Sequence, residues 1–344
     1  MDSPPTDSIP SEEIDNKPKK PEPEDPGFLK IHNQVNPILQ GARYVYGQII
    51  EFHHVSSGTA QEVVGWYKRK LFDFQRYRLR LTYSHKHRIV QFRSSHPAGE
   101  ALTEALTSKF TTWIWDCFID VGGISRSLSK DFRMLPYCPS PTISPIAPRT
   151  LLLTPALSIH PNHKLCDTEF PPIVIDYAFS PTNSPSELLR HWHDLYRSRD
   201  LWFSHSKTKT QVVILALFHP ATADDNGEAK EEEEEEEERA PHQNIVNNNR
   251  NIRIQGRMDV WRYDKSWKMG RLTDEFILFP HPPTTGHQEA EQITFTIQEI
   301  FGESFDFRFK ESAISEDMTF VLDVRGLRKH MQENRSISNM WAIS

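Results

Sequence analysis

The sequence predicts an α/β protein with a mixed central sheet flanked by helices. The first observation behind this is a strand, helix, strand run within about 50 residues. IVIDYAF (173 to 179) is an apolar strand, residues 185 to about 199 have helical spacing, and VVILALFHP (212 to 220) is a second apolar strand. The second observation is a hairpin, Tyr77 to Tyr83 with His87 to Arg93, leading into a helical pattern from Pro97 to Phe118. Further strand-like segments, 252 to 264, FILFPHP and ITFTIQEIFG, supply the rest of the sheet.

Each element has a local reason. Thr59 to Phe74 reads as one helix. In the helix from Pro97, Leu102, Ala105, Leu106, Phe110, Trp113, Ile114 and Cys117 recur on one face, and Pro97 suits a first turn. The helix after the IVIDYAF strand begins with Ser184 as cap, Pro185 at the first position and Glu187 placed to complete a capping box. Its expected buried stripe is Leu188, Leu189, Trp192, Leu195 and Tyr196. The Pro-rich stretch Leu135 to Pro155 reads as surface loop.

The 344 residues are 37% hydrophobic and 11% aromatic, enough for a packed core. Residues 1–27 form a Pro-rich tail expected to be disordered, since the first 26 hold seven prolines and little to bury. One domain is expected over 28–330, with an acidic disordered insertion at 221–251 and a tail at 331–344. Glu231 to Glu238 contribute eight negative charges to a net charge of -7, so the remainder sums to about +1. The start of the chain lacks an apolar signal region and no run of about 18 apolar residues occurs, so a cytoplasmic or nuclear protein is expected, without a membrane partner and not secreted. Three cysteines with no CxxC pair do not suggest a disulfide framework.

Asp176 interrupts an apolar strand, and a buried carboxylate needs a partner. It shares a strand face with Val174 and Ala178, while Asp167 and Glu169 share a face of the preceding segment if that segment is extended. Two readings stay open. Converging carboxylates are oxygen ligands for magnesium or manganese; alternatively, Asp176 caps a helix or pairs with an arginine, and Asp167 and Glu169 are loop residues. Residues 66 to 88 carry eight Lys and Arg against one Asp, interleaved with aromatics. Read as strand, Arg76, Arg78 and Arg80 share a face that, with Lys86 and Arg88, tracks nucleic-acid phosphates or is simply solvated.

IVIDYAFS with its capped helix, then LYRSRDLWF and KTQVVILALF, resembles the fungal restriction-endonuclease-like proteins of the PD-(D/E)XK nuclease superfamily. YRLRLTYSHKHRIVQFRSSHPAGEAL resembles their hairpin and following helix, and DVWRYDKSW and ITFTIQEIFG their later strands, so the likeness runs from about residue 40 to 302. The resemblance implies a restriction-endonuclease-like core and a metal-dependent nuclease that acts on or binds DNA or RNA. It places Asp167 and Asp176 at the two acidic motif positions and Glu100 at the helix position completing a Mg2+ or Mn2+ shell. Three departures stand out: Cys166 replaces the motif proline, the interval from Asp167 to Asp176 is short, and Ala178 replaces the motif lysine. The next helix offers Arg190 or His191 instead, and arginine is too basic to accept a proton. A degenerate, non-catalytic nucleic-acid or protein interaction module is therefore the alternative.

Other motifs point less far. His160, His163 and Cys166 have ligand-like spacing without a second pair to complete a zinc site. His191 and His193 flank Trp192 and are expected at the surface. Neither GxSxG, a P-loop nor GxGxxG occurs.

Overall fold

The computed structural model describes residues 26–41, 47–84, 87–119, 133–136, 154–160, 170–206, 209–221, 254–279, 291–301 and 318–333. Residues 1–25 of the Pro-rich tail, 222–251 of the acidic insertion, 334–344, Asp167, Glu169, His163, Cys166 and Lys86 lie outside these residues, whereas 26–27 and 331–333, expected in tails, belong to the first and last helices. The architecture is mixed α/β, with a mixed sheet flanked by helices.

The chain enters through α1 (Pro26–Leu39), whose Phe28, Ile31, Val35 and Ile38 form a buried stripe at helical spacing. Then come β1 (Ile49–Phe52), α2 (Ser57–Arg69), α3 (Leu71–Arg76), β2 (Leu79–Ser84) and β3 (Ile89–Ser94). The expected single helix over Thr59 to Phe74 is thus two, broken at Lys70, which caps α2 through its backbone N–H to the Trp66 carbonyl. The strands pair antiparallel in the order β1-β3-β2. Leu79, Leu81 and Tyr83 pack with α1 to α3 in one aromatic-rich core.

The main sheet follows α4 (Pro97–Ile119) and has the order β4-β5-β6-β7-β8-β9. Its strands are β4 (Arg133–Pro136), β5 (Leu157–His160), β6 (Ile173–Phe179), β7 (Val212–Pro220), β8 (Ile254–Asp264) and β9 (Met269–Phe279). Leu135 and Pro136, expected in loop, thus belong to an edge strand. β6 and β7 are parallel, and every other neighbour pair is antiparallel. The parallel step requires a crossover, which α5 (Pro185–His205) supplies.

Because side chains alternate along β6, the strand feeds two cores. Ile173, Ile175 and Tyr177 pack with α4, and Val174 and Ala178 pack with α5. Gly99 is required where α4 crosses β6: a Cβ there would lie 2.1 Å from the Tyr177 ring. The α4 core also takes residues of β10 (Gln292–Thr296), α6 (Ile297–Phe301), β11 (Thr319–Asp323) and α7 (Val324–Glu333).

Helix α5 runs one and a half turns past its expected end because Leu201, Trp202 and Phe203 continue the buried stripe. Its capping box does not form. The Ser184 side chain makes no cap hydrogen bond, and Glu187 instead accepts from the Thr182 hydroxyl at 2.5 Å. Leu189, expected in the stripe, is exposed.

Candidate functional site

The site begins with two strands meeting a third from another sheet. In the β2–β3 pairing Arg80 lies directly opposite Arg93. Like charges in that position repel, and more so when buried, unless an anion sits between them. Asp176 on β6 is that anion.

Arg80 is 3% exposed, Arg93 7% and Asp176 5%, so water screens none of them well. Asp176 Oδ1 accepts from Arg80 Nη1 and from the Tyr177 backbone N–H at 3.0 Å. Its Oδ2 accepts from the Ser198 hydroxyl of α5 at 3.1 Å and lies 3.5 Å from Arg93 Nη1. The Tyr177 carbonyl accepts from both guanidiniums, Arg80 Nη2 at 3.1 Å and Arg93 Nη1 at 3.3 Å. Arg80 also lies over the Tyr177 ring, 4.7 Å from its centroid. One carboxylate therefore ties β2, β3, β6 and α5 together.

Around this centre the charges continue. Arg197 Nη2 donates to Glu51 of β1 at 2.9 Å and to Asp194 at 3.2 Å, a second link between α5 and the N-terminal sheet. Burial pulls the Arg93 guanidinium below its usual range, with Asp176 opposing, and pushes the Asp194 carboxyl up against the pull of Arg93 and Arg197. His191 is not at the surface as expected. It is 2% exposed, neither ring nitrogen has a hydrogen-bond partner, and burial, with Arg190 and Arg93, lowers its pKa to about 4. His193 is exposed.

The basic residues read from sequence separate. Arg76 ends α3, Arg78 has a left-handed backbone with φ 51°, and only Arg80 belongs to the strand, so the three do not share a strand face. Arg80 points inward because both faces of β2 are covered. Arg78 pairs with Glu100, and Arg88 bonds the carbonyls of Val55 and His54 while staying exposed. Lys68, Arg69, Lys70, Arg76 and Phe72, the last 75% exposed, form the outer surface of α2 and α3.

The acidic residues do not converge either. Asp176 faces α5, whereas Glu100 belongs to α4, which packs on the opposite face of β6. No group of three or more His, Cys, Asp or Glu that could hold a metal occurs among the described residues. At Asp176 the donors present do not fit a divalent cation, since one arriving there meets two fixed guanidiniums already bound to the carboxylate. Ala178, where the resemblance implies a lysine, is 2% exposed and packs against α5, and Arg190 is exposed.

Sequence reasoning missed Arg93, Ser198 and Gln91. The signal for Arg93 was an arginine in the apolar strand IVQFRS. Compared with known proteins, the chain matches no family model, no curated protein and no solved structure. No helix among the described residues is long and apolar enough to cross a membrane.

Proposed function

We propose that this chain is a catalytically silent, nuclease-like module that binds nucleic acid through the basic, aromatic surface of α2 and α3. The observation that carries the silent half is the capture of Asp176 by Arg80 and Arg93. A carboxylate engaged in this way cannot ligate a metal without releasing two buried cations. Ala178 in the α5 core supports the same reading, because no lysine can reach a site from there.

The order helix α4, antiparallel strands β4 to β6, helix α5 and parallel strand β7 supports a restriction-endonuclease-like core. The binding half rests on Phe72, a large aromatic left in water beside Lys68, Arg69, Lys70 and Arg76. Cations neutralise phosphates and an exposed ring stacks on unpaired bases. Phe72 adds nothing to the core, and its exposed ring beside these cations offers a surface that a flat, negatively charged partner fits.

The test is binding of fluorescent single-stranded DNA and RNA at two salt concentrations, with cleavage followed in Mg2+ and Mn2+. Salt-sensitive binding without cleavage is expected. Metal-dependent cleavage lost in Asp176→Asn points instead to an active nuclease, a reading favoured by one observation: Glu100 Oε1 is buried without a hydrogen-bond partner.

A further inference from the structure

Below the ion pairs, between β2–β3 and α5, lies a cavity of about 20 Å³. Thr82, Gln91 and Arg93 line its sheet wall, and Asp194, Arg197 and Ser198 its helix wall. That volume exceeds the roughly 10–15 Å³ needed for one water, so it admits the tip of a small polar group.

Gln91 indicates which group. It lies directly opposite Thr82 in the β2–β3 pairing and is 5% exposed. Its Oε1 accepts from Arg93 Nη2 at 3.2 Å, which fixes the orientation of the amide, because the reverse would set an amide N–H₂ against a guanidinium. The Nε2 is thereby turned away from Arg93 and has no hydrogen-bond partner. A buried donor left without an acceptor is destabilising, so an acceptor in the cavity would stabilise the site.

The charge around it has the matching sign. Two buried guanidiniums share Asp176, and Arg93 holds only the longer contact, 3.5 Å, its other partners being neutral carbonyl oxygens at 3.2 and 3.3 Å. Arg197, the more exposed of the lining arginines at 28%, stands on the helix wall. We propose that this cavity binds a phosphate group, free or at the end of a nucleic-acid strand. Gln91 Nε2, Arg93 and Arg197 donate to its oxygens.

Asp194 gives the site a further selectivity. It is the carboxylate in the wall and is engaged by Arg197 at 3.2 Å. A fully ionised oxyanion is repelled by it, whereas a phosphate that keeps one proton donates that proton's hydrogen bond to Asp194. Phosphate groups keep a proton up to about pH 6 and partly above it, which sulfate does not. The site therefore takes phosphate in preference to sulfate.

The strand-end source rests on the proposed function, and free phosphate does not, so the two are separated by probe. Inorganic phosphate and sulfate are titrated calorimetrically at pH 6 into the full chain and into Gln91→Met and Asp194→Asn. Saturable phosphate binding is expected, about tenfold weaker in Gln91→Met through loss of one charge-assisted hydrogen bond. Sulfate is expected to bind only to Asp194→Asn. Because Gln91→Met is nearly isosteric, its melting temperature checks that it folds. No saturable phosphate binding, equal binding by Gln91→Met, or sulfate binding equal to phosphate in the wild type overturns the proposal. A 5′- or 3′-phosphorylated oligonucleotide that outcompetes its hydroxyl counterpart identifies a strand end as the source; equal competition restricts the site to free phosphate. Phe72→Ala should keep phosphate binding, so its loss of oligonucleotide binding reports on the surface alone.

Discussion

Arg80 of β2 closes on Asp176 of β6, joining two sheets that share no strand. Across β2–β3 from Arg80 stands Arg93, so the carboxylate separates two buried cations that would otherwise face each other. Asp176 interrupts the apolar strand because the N-terminal sheet docks there through arginines.

That arrangement predicts strong asymmetry between removing one partner and removing both. Asp176→Asn strands two buried guanidiniums and should cost about 3–5 kcal/mol, as should Arg80→Met to a similar extent. The double variant Arg80→Met with Asp176→Asn should cost clearly less than the sum of the singles, since it leaves one buried guanidinium, Arg93, without the carboxylate where Asp176→Asn leaves two. Urea unfolding of the four proteins measures the coupling; additive effects would show that the two residues do not act as a pair.

A lysine placed at position 178 should not confer chemistry. Ala178→Lys places an ammonium among Leu195, Trp202 and Leu217 in the α5 core, where burial disfavours its charged form. The variant should lose roughly 3 kcal/mol or more of stability and gain no nuclease activity. Cleavage of DNA or RNA by a folded Ala178→Lys chain would argue that the position still lies at a working site.

Phe72 carries the surface prediction. Since it is 75% exposed, Phe72→Ala should change stability by less than about 0.5 kcal/mol. Its affinity for single strands should fall by about 1–3 kcal/mol if one base stacks on the ring. Anisotropy titrations at fixed salt measure this, and unchanged affinity removes Phe72 from the interface.

Acid should loosen the fold through two buried imidazoles. Burial lowers His96 to about 3 and His191 to about 4, both below the ordinary 6.5. His96 stacks on Phe179 at 3.5 Å and its Nδ1 accepts from the Ala98 N–H at 3.2 Å, a bond protonation at that nitrogen removes. In both cases the unfolded chain binds the proton more readily than the folded one. Their contribution is therefore complete above about pH 6.5 and is lost as pH falls through the window down to about 4 for His191 and 3 for His96. Each contributes a slope of up to about 1.4 kcal/mol per pH unit there. His191→Leu, which also removes two unpartnered ring nitrogens, should be no less stable than wild type at neutral pH and flatter in its acid limb. An unchanged acid limb would place the titration elsewhere.

The legible parts of this fold are those written in short range. IVIDYAF and VVILALFHP are apolar runs bounded by turn residues, and they are the parallel pair at the centre of the sheet. The helix from Pro97 starts at the expected residue and buries Leu102, Ala105, Leu106 and Phe110 of the expected face. Helix α1 carries an equally regular stripe at Phe28, Ile31, Val35 and Ile38, but it adjoins the Pro-rich tail and contains Pro37, which masks the signal. Arg80 was misread because alternating arginines resemble a solvated strand face. Only the pairing register sets Arg80 opposite Arg93, and only docking brings in Asp176, 96 residues away. Pairing with an arginine was one of the two readings open for Asp176, and the identity of that arginine is a tertiary fact.

On the proposed reading Asp176 serves the arginines and not a metal. Calorimetric titration of manganese into the wild-type chain and into Asp176→Asn, under conditions where both are folded, tests it most directly. No site-specific binding by either protein is expected, with Asp176→Asn already several kcal/mol less stable. Micromolar manganese binding in the wild type that disappears in Asp176→Asn would contradict it and return the carboxylate to the role of ligand.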